Sequence, residues 1–200
     1  MKVIGIYGSP RKGGNSDLLL DSVLRGAKDQ GADVKRLYVR DLRISGCRGC
    51  DGCKETGNCV VKDDMQDIYH LLDDAGVIIL SSPIFFYGLT SQIKALIDRS
   101  QAMWWKKRLS KGNKDKKNNY QGRGYLIAIG ATRGENLFEG AQLTARYFFD
   151  ALDMRYKGGL YFRAIESKGA IKEHPEALRK AYDFGGKAVR DDFEQRSTNH

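Results

Sequence analysis

Two hundred residues with 41% hydrophobic side chains and 30% charged ones are enough for one folded domain with a proper core, which excludes a disordered chain. No apolar run approaches the ~20 residues that a membrane span needs, and residues 1–7 lead straight into Gly8 and Pro10 without a leader's apolar stretch, so the reading is a soluble, cytoplasmic protein. The net charge of +9, from 34 basic and 25 acidic side chains, points to anionic ligands or acidic partners. Much of the excess lies in residues 106–117, read as a solvated basic loop over 106–119. That run lacks a nucleic-acid motif, so nucleic acid is not indicated.

In chain order, residues 2–7 (KVIGIY) form a short apolar run with the look of a buried strand. Residues 8–16 (GSPRKGGNS) follow as a Gly-rich turn, and Leu18, Leu19, Leu20, Val23 and Leu24 then mark a helical stripe capped by Asn15 or Ser16. Residues 32–39 read as a second strand, less buried and so at an edge. A helix over 65–72 is capped by Asp63 or Asp64, and residues 76–82 are a continuous apolar run, the pattern of a central parallel strand. A helix over 91–105, a strand over 124–130, a helix over 138–152, a strand around 159–162 and a helix from Pro175 to about residue 194 complete the pattern. Residues 1–196 make a single domain and 197–200 a fraying tail. Five strands alternating with helices imply an α/β doubly wound parallel sheet, with ligands beyond the carboxyl ends of the strands.

The turn after the first strand has the makings of an anion site. The first N–H groups of the helix point outward at the positive end of its dipole, Ser9 and Ser16 add hydroxyl donors, and Arg11 adds a charged fork. The loop lacks both G-x-x-x-x-G-K-[ST] and G-x-G-x-x-G, so a terminal monophosphate suits it better than a triphosphate or a dinucleotide; the alternative is an ordinary polar turn. At the same edge, Pro83, Ile84, Phe85, Phe86, Tyr87 and Gly88 form an unusually apolar loop. They either pack under a helix or wall a flat ring. A monophosphate at one loop and a flat heterocycle at the other describe FMN.

All four cysteines fall in Cys47-x2-Cys50-x2-Cys53-x5-Cys59. In a cytosolic chain this argues for metal or redox chemistry rather than a disulfide framework. The tight spacing matches the way short loops wrap an iron–sulfur cluster. Zinc, free thiols and a redox-active Cys-x2-Cys pair remain open alternatives.

The run Gly8-Ser9-Pro10-Arg11 through Asn15-Ser16, together with Ser82-Pro83 through Tyr87-Gly88, Ser91, Lys94, Ala95, Asp98 and Arg99, resembles the flavodoxin-like NAD(P)H-dependent FMN reductase family. The cysteines make its iron–sulfur flavoprotein branch the most similar part. The resemblance implies strand order 2-1-3-4-5 and FMN as cofactor. It assigns the phosphate to Ser9, Arg11, Asn15 and Ser16, and the isoalloxazine to Pro83 through Gly88, with Ala131, Thr132 and Gly134 at its other edge. It further implies a [4Fe–4S] cluster on Cys47, Cys50, Cys53 and Cys59, NAD(P)H or a ferredoxin as electron source, a small-molecule or protein acceptor, and a homodimer or homotetramer. No general acid or base is required, because the cofactor carries the chemistry.

Overall fold

The computed structural model describes residues 1–111 and 120–190. Five parallel strands, β1 (Lys2–Tyr7), β2 (Asp33–Tyr38), β3 (Val77–Pro83), β4 (Gly122–Ile129) and β5 (Met154–Phe162), form one sheet in the order β2-β1-β3-β4-β5. This is the flavodoxin-like order expected from the sequence. β2 stands at the edge and β3 at the centre, as their apolar content implies.

Alternation along each strand divides the core between two faces. Ile4, Ile6, Ile78, Leu80, Leu126 and Ala128 pack with α2 (Met65–Asp73), α3 (Ser91–Arg99) and α5 (Glu139–Ala151) on one face. Val3, Tyr7, Val77, Ile79, Tyr125 and Ile127 pack with α1 (Asn15–Asp29) and α6 (Pro175–Arg190) on the other. The β4–β5 register shifts between Gly124 and Leu126, where Gly158 has φ 81° and a Cβ on Gly159 would stand 1.6 Å from Leu126 O. The glycine pair is what lets β5 bulge there.

The helix expected over 91–105 is two helices, α3 and α4 (Gln101–Lys111). The break falls at Ser100, whose Oγ donates back to Leu96 O at 3.1 Å, the local bonding by which serine competes with a straight helix. The basic tract also differs from its reading as a loop. Residues 106–111 belong to α4, where Lys106 pairs with Asp73, Lys107 with Asp150 and Asp153, and Lys111 with Asp153. Those pairs dock the helix on its neighbours. The rest of the tract, 112–119, lies outside the described residues, as do the tail 197–200 and residues 191–194, where the last helix is expected to end. No helix among the described residues is long and apolar enough to cross a membrane.

Helices α1 and α6 approach so closely that glycine is required at the crossing. A Cβ on Gly26 would stand 2.0 Å from Tyr182 O, and one on Gly185 would stand 1.9 Å from Val23 O. Gly185→Leu is therefore expected to cost about 1–3 kcal/mol by forcing the helices apart. At about 2–4 °C per kcal/mol for a chain of this size, a thermal melt reads the loss directly.

Candidate functional site

The loops after β1, β3, β4 and β5 meet at the carboxyl edge of the sheet, beside the switch point between β1 and β3. Gly8 fastens the first two together: its N–H donates to Ser81 O at 2.7 Å, and its carbonyl accepts from Thr90 Oγ1 at 2.6 Å. Ser81 Oγ donates to Ser16 O at 2.9 Å, tying the start of α1 to the same strand. One cleft results, lined by Ser9, Arg11, Asn15 and Ser16 on one side and by Pro83, Ile84, Phe85 and Ala131 on the other.

The anion loop is braced from behind. Ser9 Oγ accepts the Arg11 N–H at 3.1 Å, and Gly14 N–H donates to Arg11 O at 3.2 Å. Asp17 Oδ2 accepts from Gly13 N–H at 3.0 Å and pairs at 3.0 Å with half-buried Arg40, which also donates to Ser9 O. Burial pushes the Asp17 carboxyl above its ordinary value, against the opposing pull of the Gly13 N–H and Arg40. Helix α1 begins at Asn15 after Gly14, one residue earlier than a cap at Asn15 requires and two earlier than a cap at Ser16 requires. Asn15 is spent otherwise: its Nδ2 donates to Ser167 O at 2.8 Å and its Oδ1 accepts from Ile171 N–H at 3.2 Å. Its side chain holds the loop after β5 against the anion loop, leaving its backbone N–H at the helix start for a ligand.

Phe85 and Gly88 exchange two backbone hydrogen bonds of 3.0 Å, closing a two-residue hairpin. Phe86 and Tyr87 occupy its tip with φ 49° and 59°, a left-handed conformation that bulky residues adopt only under constraint. Phe86 is fully exposed, and Tyr87 reaches across to the next loop, where a Cβ on Gly134 would stand 2.1 Å from the Tyr87 hydroxyl. Phe86, Tyr87 and Gly88 thus form the hairpin's end and do not line the cleft itself. Thr132 and Gly134 likewise lie in the neighbouring loop rather than the cleft lining. Thr132 O accepts from Ala164 N–H at 3.3 Å.

That loop is pinned from β5's end by Arg163, which donates to the carbonyls of Arg133, Gly134 and Glu135 and stacks 5.2 Å over the Phe138 ring. Arg163→Ala is expected to loosen residues 131–135 and to speed trypsin cleavage after Arg133 by about an order of magnitude, because local opening there loses its three restraints. A timed digest of the folded protein measures it.

Sequence reading missed Ile165, Glu166 and Lys168, which complete the cleft. They follow β5 directly, and a fourth ligand-edge loop is what a fifth parallel strand requires. That position was the available signal.

The four cysteines line a second hollow with Val60, Val61 and Arg99. Among the described residues no three His, Cys, Asp or Glu side chains converge as they would around a single metal ion. Arg99, 1% exposed, closes this loop at both ends: Nη1 donates to Ser45 O at 3.0 Å and Nη2 to Val61 O at 3.2 Å, while both bond the Asp63 carboxylate at 2.7 and 3.1 Å. Asp63 also accepts the Ser45 and Met65 N–H groups; the N-cap position of α2 is Asp64, whose side chain makes no cap bond, so the first turn is held by Asp63 from one residue further back. Burial raises the Cys53 thiol. Burial acts the same way on Cys59, but the Val61 N–H, the Tyr69 hydroxyl and the Arg99 guanidinium outweigh it and hold that thiol below its ordinary value. Lys54 lies 6.0 Å over the Trp105 ring, and Gly57, with φ 71°, sits so close to the Lys106 backbone that a Cβ would come within 2.8 Å, so α4 carries the cysteine loop.

The family model described as NADPH-dependent FMN reductase matches residues 1–179. An iron-sulfur flavoprotein of Methanocaldococcus jannaschii is 34% identical over 190 residues, covering 90% of both chains. Another, from Archaeoglobus fulgidus, is 38% identical over 99 residues, 50% of this chain and 45% of that one. The chain spans about half the length of several such curated relatives it matches. Among solved structures, an NAD(P)H:quinone oxidoreductase from Methanothermobacter marburgensis superposes with a TM-score of 0.70 at 11% identity, over 100% of this chain and 99% of that one, a likeness of fold.

Proposed function

The chain belongs to the NADPH-dependent FMN reductase family, and from that premise we propose that it is an FMN-dependent oxidoreductase, reduced by NAD(P)H or by a ferredoxin, which passes electrons to a small-molecule or protein acceptor by way of a [4Fe–4S] cluster on Cys47, Cys50, Cys53 and Cys59. The observation that carries this reading is the meeting of the anion loop and the Pro83–Ile84–Phe85 wall in one cleft. Bound FMN supplies the hydride and electron chemistry.

The chain's residues bind and orient. Ser9, Ser16 and the α1 N–H groups donate to the phosphate, with Arg11 adding charge. Pro83, Ile84 and Phe85 give the isoalloxazine an apolar wall. The hairpin tip of Phe86, Tyr87 and Gly88 and the Ala131, Thr132 and Gly134 loop flank its edge. No residue is assigned a proton-transfer role, and His70, His174 and His200 are left out of the chemistry.

The cysteine hollow fits a cluster by its donor set. A [4Fe–4S] cube takes four thiolates, one at each iron, and four cysteines line this one hollow. Buried Arg99 beside them offsets the negative charge that four thiolates bring. The names of the matched flavoproteins agree with this choice.

The reading extends to a cytoplasmic homodimer or homotetramer. The exposed Phe86, Tyr87, Leu143 and Tyr147 are supporting features, since large exposed apolar side chains favour burial against a partner copy. Anaerobic purification with iron, sulfide and flavin analysis, followed by addition of NADPH or NADH, tests the whole. Flavin with iron and sulfide, bleached promptly by a nicotinamide nucleotide, is the expected result. Flavin that bleaches with neither nucleotide nor reduced ferredoxin overturns the reductase.

A further inference from the structure

Arg99 is buried more deeply than any other charged side chain described, at 1% exposure, and four of its hydrogen bonds are accounted for by Ser45, Val61 and the two Asp63 oxygens. Its fifth donor, Nε–H, is buried and has no hydrogen-bond partner among the described residues. A buried charged donor left without an acceptor is costly, and native structures rarely retain one without a use. Arg99 is also part of the wall of the hollow that the four cysteines line. The orphaned donor and the thiol cluster therefore share one small space.

We propose that Arg99 is the positioning residue of the cysteine site: its fork ties the entrance and exit of the loop through Ser45, Val61 and Asp63, and its Nε–H donates to a sulfur of the group the cysteines hold. This rests on the cluster reading above. The two halves of the role use different atoms of one guanidinium. Lysine, with its single point charge, cannot perform both. A positive N–H donor at a sulfur stabilises the more negative, reduced form, and hydrogen bonds to sulfur are among the factors that set a cluster's potential. Arg99 is thus expected to hold the cluster's reduction potential up.

The test compares wild type with Arg99→Lys and with the double variant Arg99→Met/Asp63→Asn, which removes both members of the buried pair so that neither charge is stranded. Each protein is reconstituted anaerobically with iron and sulfide, and cluster and flavin are titrated together. Both variants are expected to shift the cluster's one-electron equilibrium about tenfold toward the oxidised form, ~59 mV lower. Flavin content and flavin potential should stay at wild-type values, which reports an intact fold. A cluster potential unchanged in both variants overturns the proposal and leaves the cluster reading standing. A wild type that takes up zinc or no metal, and no iron, overturns the cluster reading and the proposal with it.

Discussion

Ser9→Ala is expected to weaken FMN binding by about 10- to 150-fold, the effect of losing a hydrogen bond to a charged group worth about 1.5–3 kcal/mol, while leaving riboflavin binding nearly unchanged. The difference between the two ligands follows from where Ser9 sits. Ser9 is only 4% exposed and lines the cleft at the turn before α1. Its Oγ accepts the Arg11 N–H, and its one O–H, which donates to Arg11 O at 3.2 Å in the free protein, turns to the phosphate when FMN binds, so its loss removes a phosphate donor and slackens the residue that brings the cation. Riboflavin has the same ring system without the phosphate, and Ser9 has nothing to offer the ring. Arg11→Ala should act in the same direction, and more weakly as salt rises, because Arg11 is exposed and its charge is screened. Fluorescence titrations with both ligands measure the selectivity. Equal losses for FMN and riboflavin would mean that the loop shapes the cleft without gripping a phosphate.

Asp63→Ala is expected to be the most destabilising single change near the cysteine loop, by about 3–5 kcal/mol, because it strands a buried guanidinium. Asp63 is 11% exposed at its side chain and meets Arg99 through both oxygens. Burial alone would raise this carboxyl, but Arg99 and the Ser45 and Met65 N–H groups outweigh that and hold it below the ordinary carboxylate value. A carboxyl depressed in the folded state binds fewer protons there than in the unfolded chain. Its stabilisation is complete above the unfolded value near 3.8 and is lost as pH falls through the folded one. Denaturant melts at neutral pH should show the full loss in Asp63→Ala. Toward acid, wild type should converge on the variant. A gap that stays constant into strong acid would contradict the ion-pair explanation.

The parts of this fold that were legible in the sequence are those set by local pattern. Residues 2–7 and 76–82 are apolar runs too short for helices, and the sheet uses both nearly as read, at β1 and β3. The chain's glycine-rich turn, its aromatic loop and its four close cysteines each announce chemistry by residue type and spacing. What stayed hidden depends on partners distant in sequence. Asn15 looks like a cap, yet its amide is committed 152 and 156 residues away, to Ser167 and Ile171. Residues 106–111 read as a solvated tract because their acids, Asp73, Asp150 and Asp153, lie on other elements. Ser100 breaks a helix whose stripe continues on both sides. Arg99 stands on that same stripe as an ordinary last-turn cation, and only the fold reveals that it ties both ends of the cysteine loop.

The most direct measurement is a calorimetric titration of flavin-free protein with FMN, run beside the same titration with riboflavin. Saturation near one FMN per chain at about micromolar Kd or tighter, with riboflavin at least about tenfold weaker, is expected of a cleft that holds a phosphate at one end and a flat ring at the other. Absence of saturable FMN binding, or riboflavin bound as tightly as FMN, would contradict it.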